Sequence, residues 1–126
     1  MKVYEHSIQV HPEDIDEMEH INNVVYVRWV QEVAAAHWNH RATTTLKEKY
    51  AWVVLRHEID YKNPGFLLDK IRGTTWVGAY NGARFDRYVK IITENKILAE
   101  AKTTWCLLNA KNLRPTRIPE DIIALL

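Results

Sequence analysis

Between Asp14 and Asn23 the chain reads Asp-Ile-Asp-Glu-Met-Glu-His-Ile-Asn-Asn, a crowding of carboxylates with one imidazole and two carboxamides. An apolar segment with helical period begins immediately afterwards. The start of a helix leaves four backbone N–H groups without helical partners and carries roughly half a positive charge. Such an end can hold the oxyanion that develops when a carbonyl is attacked. A carboxylate a few residues upstream, here Asp16, can loop back beside it and either attack the carbonyl carbon or deprotonate a water that does. Both routes suit an activated ester such as a thioester. Acidic residues also precede helices simply because they favour the positive end of the dipole, so this stretch alone admits a purely structural reading.

The elements that must position these residues can be read from periodicity. Residues 3–10 alternate and predict a first strand, and residues 11–22 are polar and irregular. From 23 to about 41, Tyr26, Trp29, Val30, Val33, Ala36 and His37 recur at helical spacing, with Asn22 or Asn23 as N-cap. A short helix is expected over 43–50. Strands are expected over 52–62, 68–80, 83–93 and 96–109, with Asn81-Gly82 as a two-residue hairpin turn and a further turn at Glu94-Asn95. Pro119 suits the first turn of a terminal helix over 119–126. One helix followed by a run of antiparallel strands indicates an α+β fold, in which a twisted sheet curls around the helix. The sheet keeps an open edge that a second copy would cover.

Composition narrows the function further. The 126 residues fit one domain, 1–126, and five tryptophans and six tyrosines suffice for a core. Seventeen basic against sixteen acidic residues leave no basic footprint, which argues against general nucleic-acid binding. Cys106 is the lone cysteine, which excludes an intrachain disulfide or a cysteine metal cluster and fits a cytoplasmic setting. The first sixteen residues lack the apolar core of a signal peptide, and no run approaches a membrane span.

The stretch DIDEMEHINNVVYVRW resembles the hotdog-fold thioesterases of the 4-hydroxybenzoyl-CoA thioesterase type. The family pattern of an aspartate, a His-x-Asn and a helix opening on tyrosine falls on Asp16, His20, Asn22 with Asn23, Tyr26 and Trp29. The strand ending Ile59-Asp60-Tyr61-Lys62-Asn63-Pro64 resembles the family's Ile-x-Tyr-x-x-Pro, and Arg117-Ile118-Pro119-Glu120 resembles its close. After the proline the family usually has Gly-Asp, whereas this chain has Leu68-Asp69.

The resemblance implies a hotdog fold, a long central helix wrapped by a curved, mainly antiparallel five-stranded sheet. It implies hydrolysis of an acyl-CoA, or of an acyl group on acyl carrier protein, by a homodimer or homotetramer without cofactor or metal. Asp16 would be nucleophile or general base, the Asn23 N–H the oxyanion donor, and His20 an orienting group. A non-catalytic acyl-CoA-binding module is the alternative from another class. A hotdog hydratase or dehydratase fits less well, because Asp16 and His20 lack the Asn-Pro spacing of those enzymes.

Other candidates are read as structural. His37 and His40 share a helix face but lack a third metal ligand, so a polar dimer contact or core edge is expected. Cys106 is expected to be a buried, inert thiol, with Trp105 beside it packing on the helix. Arg84, Arg87 and Lys90 alternate faces of one strand and are expected to be solvated. None of these, nor Arg72 or Arg114, is assigned to a coenzyme A phosphate.

Overall fold

The apolar stripe of residues 23–41 folds as one helix, α1, spanning Asn23–Arg41. The computed structural model describes residues 2–126. The helix buries Val25, Tyr26, Trp29, Val30, Val33, Ala34 and His37. This is the expected face, except that Ala34 rather than Ala36 is the small buried residue.

Around it run β1 (Tyr4–Ile8), α2 (Thr44–Lys49), β2 (Tyr50–Tyr61), β3 (Ile71–Asn81), β4 (Arg84–Thr93), β5 (Lys96–Asn109) and α3 (Glu120–Leu125). The strands form one sheet in the order β1-β3-β4-β5-β2, and every pairing is antiparallel. This is the expected hotdog architecture, a curved sheet wrapped on a long helix. Since β2 lies outside β5, residues 62–70 carry the chain back across the sheet instead of closing a hairpin. That crossing passes the start of α1, which is what brings the end of β2 to the helix tip.

The inner face of the sheet alternates as period two requires. Val89 and Ile91 of β4 lie opposite Ala101 and Ala99 of β5, and the small alanines make room for the helix. Gly73 of β3 lies directly under Val33, where an added Cβ would collide with a Val33 methyl. Val33, Ile91 and Leu98 are fully buried, each contributing about 1.5–3 kcal/mol.

Two expectations require correction. The β3–β4 turn falls on Gly82-Ala83, with Asn81 still paired to Arg84. A bulge between Val77 and Tyr80 absorbs a residue of β3, and Gly82 takes the left-handed φ of 63° that glycine accepts without strain. Secondly, Arg87 is not solvated but 2% exposed, because its position on β4 faces α1. Its Nη1 donates to Thr75 Oγ1 at 3.0 Å and to His37 Nδ1 at 2.9 Å. A guanidinium can only donate, so His37 Nδ1 accepts and the ring proton sits on Nε2. His37 also stacks on Tyr4 at 5.1 Å, with His40 tilted against the same ring. The histidine pair is therefore a core edge.

Burial, with the nearby charges of Arg87 and Arg41, lowers the His37 pKa to about 4. The unfolded chain binds a proton there near pH 6.5, and the folded chain refuses it until about pH 4. Stability is therefore lost as pH falls through that window. The loss at pH 5 is about 2 kcal/mol, and His57, lowered by burial too, adds to it. His37→Gln, which keeps an acceptor for Arg87, should shrink the difference in urea stability between pH 7 and pH 5. An unchanged difference would rule out His37 as its source.

Candidate active site

Residues 15–21 close on themselves before α1 begins. Ile15 and Ile21 form an antiparallel bridge. The Asp16 N–H donates to the His20 carbonyl at 2.8 Å, and the Glu19 N–H to the Asp16 carbonyl at 3.0 Å. The turn places Glu19 at φ 63°, an uncommon conformation for a residue with a side chain. Asp16 Oδ1 accepts from the Met18 N–H at 2.9 Å and the His20 N–H at 3.1 Å. The backbone of its own loop thus orients the carboxylate. Both bonds fall on one oxygen, and Oδ2 meets no protein donor among the described residues.

Asp14 fastens this loop to the helix. Its side chain is 1% exposed, with Oδ1 accepting from Arg28 Nη2 at 2.8 Å and Oδ2 from the His11 N–H at 2.9 Å. Its carbonyl accepts the Asn22 N–H at 2.9 Å. Burial alone would raise the Asp14 pKa. The Arg28 hydrogen bond, the His11 N–H and the Arg28 charge outweigh it and hold the carboxyl below the usual carboxylate range.

Asn22 is the N-cap of α1. Its Oδ1 accepts from the Val24 N–H at 3.1 Å and its carbonyl from the Val25 N–H at 2.9 Å. Between these satisfied groups, the Asn23 N–H meets no acceptor among the described residues. The Tyr61 hydroxyl donates to the Asn23 carbonyl at 3.3 Å, and Tyr26 lies behind it. Burial, with Asp69 adding its charge, pushes the Tyr26 phenol up to about 12, so it stays protonated.

These groups open onto one cleft of about 410 Å³, bordered by Asp16, His20, Asn23 and Tyr61 among others. The three residues singled out in the sequence are therefore brought together. His20 touches Asp16 through its backbone N–H, while its imidazole packs edge-on against Phe66 at 5.3 Å. Phe66 belongs to the 62–70 crossing, where the chain departs from the family's Gly-Asp. Sequence reasoning missed the roles of Asp14, Arg28 and Tyr61. Asp14 was one acid among several, and nothing local links it to Arg28 fourteen residues on. Cys106 is buried, as expected. No helix among the described residues is long and apolar enough to cross a membrane.

Residues 10–126 match the sequence profile of the thioesterase-like superfamily. The chain belongs to that superfamily. Two uncharacterised proteins from two strains of Mycobacterium tuberculosis are each 31% identical over 112 residues, covering 88% of this chain and 44% of theirs. The chain spans less than half the length of the curated relatives it matches. Among solved structures, a 1,4-dihydroxy-2-naphthoyl-CoA thioesterase from Synechocystis superposes with TM-score 0.84 at 14% identity, covering 98% of this chain and 95% of that one. A Thermus thermophilus thioesterase in complex with coenzyme A and zinc gives 0.84 at 20% identity, covering 96% and 94%. At such identities the superposition establishes the shared fold.

The geometry separates two neighbouring aspartates by role. Asp14→Ala removes the acceptor of a charged partner from a buried position and should cost about 2–3 kcal/mol. Asp16→Ala removes two bonds from a half-exposed loop and should cost about 1 kcal/mol. Urea denaturation of both variants checks the order, and a reversed order would contradict it.

Proposed function

We propose that this thioesterase-superfamily chain hydrolyses an acyl-CoA thioester to the free acid and coenzyme A, in the cytoplasm. The observation that carries this reading is that the Asp16 carboxylate and the unclaimed Asn23 N–H border the same cleft. A thioester carbonyl placed there directs its oxygen to the Asn23 N–H and the positive end of α1. Asp16 acts on the carbonyl carbon by one of two routes. As general base it takes a proton from water as the water oxygen bonds to carbon. As nucleophile it forms an acyl–carboxylate anhydride that water then opens. In either case the C–S bond breaks, and the sulfur leaves as a thiolate that takes up a proton. His20 borders the cleft and orients the substrate or water. The coenzyme A carrier is supported by the complex of the Thermus relative. Acyl carrier protein presents the same thioester chemistry.

Asp16→Ala should lower thiol release from acyl-CoAs by at least a hundredfold while the protein still unfolds cooperatively, at a temperature lowered by only about 2–6 °C. A general base or nucleophile contributes roughly that factor or more. Turnover within a few-fold of wild type would remove Asp16 from the mechanism. Asp16→Asn keeps the shape and one carbonyl acceptor for the loop, so loss of activity there separates chemistry from loop geometry.

The assembly proposed with this activity is a homodimer, or a tetramer built from it, formed along β2. This strand lies at the edge of the sheet, and Val53 and Leu55 on it are 38% and 48% exposed. An open apolar edge invites another strand, and pairing with a second copy satisfies its backbone groups. Light scattering should give at least twice the chain mass of 14.8 kDa for the wild type and 14.8 kDa for a Val53→Lys, Leu55→Glu double variant. A wild-type protein at the chain mass would overturn this assembly.

A further inference from the structure

Acyl-transfer sites set preorganised donors around the oxygen that takes up negative charge. At the tip of α1 the Asn23 N–H is one such donor. The N–H groups that follow it are taken, that of Val24 by Asn22 Oδ1 and that of Val25 by the Asn22 carbonyl. A second donor therefore has to come from a side chain bordering the cleft. Asn63 is committed, its Nδ2 donating to the Ile97 carbonyl at 2.8 Å. The Tyr26 hydroxyl is buried and pressed against Gly65. The His20 imidazole packs on Phe66. Lys62 is exposed, and its flexible ammonium is not preorganised. The remaining donor is the Tyr61 hydroxyl, which borders the same cleft.

Tyr61 is the last residue of β2, and it is 45% exposed. Its ring meets the Tyr26 ring edge-on at 5.8 Å, which orients the ring and leaves its hydroxyl at the helix tip. There the hydroxyl donates to the Asn23 carbonyl at 3.3 Å. This is long for an O–H···O bond, whose usual length is about 2.7–2.8 Å. The same carbonyl lies in the first turn of α1, where it also receives the N–H of Val27, four residues on. Turning the Tyr61 hydroxyl away therefore leaves no orphaned acceptor behind. A charged oxygen outcompetes the carbonyl, because hydrogen bonds to an ionised acceptor are shorter and stronger than neutral ones.

We propose that Tyr61 is a further catalytic residue, its hydroxyl turning from the Asn23 carbonyl to donate a second hydrogen bond to the thioester oxygen as that oxygen becomes negative. As water or Asp16 bonds to the carbonyl carbon, the π pair of the C=O bond moves onto oxygen. The Asn23 N–H and the Tyr61 O–H hold that charge. The pair returns to carbon as the C–S bond breaks, and the phenol keeps its proton throughout. The uncharged thioester oxygen is a weaker acceptor, so the bond favours the transition state over the bound substrate and acts on turnover. This inference rests on the roles proposed above for Asp16 and Asn23.

Tyr61→Phe removes the hydroxyl and keeps the ring against Tyr26. Thiol release from hexanoyl-, palmitoyl- and benzoyl-CoA is measured for wild type and variant. For the best of the three, kcat should fall about tenfold to a hundredfold, the scale of a lost oxyanion donor, while KM stays within about twofold. Calorimetry with two unreactive coenzyme A derivatives of each acyl group separates chemistry from structure. One is a thioether without a carbonyl, and the other a trifluoromethyl ketone, which takes up water or a nucleophile to give a tetrahedral oxygen. Tyr61→Phe should bind the ketone about tenfold more weakly and the thioether as wild type does. An unchanged kcat overturns the proposal, as does equal weakening toward both derivatives. A variant that no longer folds makes the hydroxyl structural and overturns it too. Asp16→Asn should lose turnover yet keep a ketone preference that adding Tyr61→Phe removes. If Asp16→Asn stays active while Tyr61→Phe does not, the role of Asp16 falls and that of Tyr61 stands. A wild type without turnover that keeps the Tyr61-dependent preference refutes the hydrolysis and supports the donor. A wild type with neither overturns both.

Discussion

A carboxylate sealed from water has to be met by a positive charge and by donors, or it gives up its own charge. At Asp14 that requirement is satisfied by Arg28 from α1 and by the His11 N–H from the chain before it. The carbonyl of the same residue holds the Asn22 N–H. One residue thereby ties together the segment leaving β1, the loop carrying Asp16 and the first turn of α1. If the contacts of Asp14 are broken, the loop at 15–21 loses its polar tie to α1 and keeps the Ile21–Gly65 hydrogen bond, the His20–Phe66 contact and the burial of Ile21. The position of Asp16 relative to the helix tip is then held less firmly. The chemistry proposed for Asp16 depends on a neighbour that takes no part in it.

The helix serves two purposes at its two ends. At the N-terminus, Asn22 satisfies the N–H groups of Val24 and Val25 and leaves that of Asn23 open. A complete cap would have removed the donor proposed here for an oxyanion. Further along, the same helix packs closely on the sheet, with Val33 against Gly73 and His37 against Arg87. Close packing on one side and a cleft on the other follow from residue size. Glycine and alanine admit the backbone, whereas Trp38, Trp52 and Trp105 hold it off.

The polar island of His37, Arg87 and Thr75 runs against the ordinary composition of a core. Arg87 feels burial strongly enough that its pKa falls to about 10, and it stays charged at neutral pH. That charge also helps keep His37 neutral, which lets the imidazole accept from the guanidinium. The result is a cation held in place by neutral groups.

Periodicity and composition determined α1 and its buried face, the five strands, the short capped helix α2 and the identity of the loop that precedes α1. These are local properties, because side chains three or four apart on a helix, or two apart on a strand, share a face whatever lies opposite. Asp16, His20 and Asn23 were legible for the same reason, being close in sequence and ahead of a helix start. The tertiary structure alone decided that Arg87 faces inward as a buried cation, that Asp14 pairs with Arg28, and that β2 lies at the sheet edge. It also decided that a bulge moves the β3–β4 turn to Gly82-Ala83. Each of these depends on which surface arrives from a distant part of the chain, and alternation along one strand says only that two faces exist, not which of them the helix will cover.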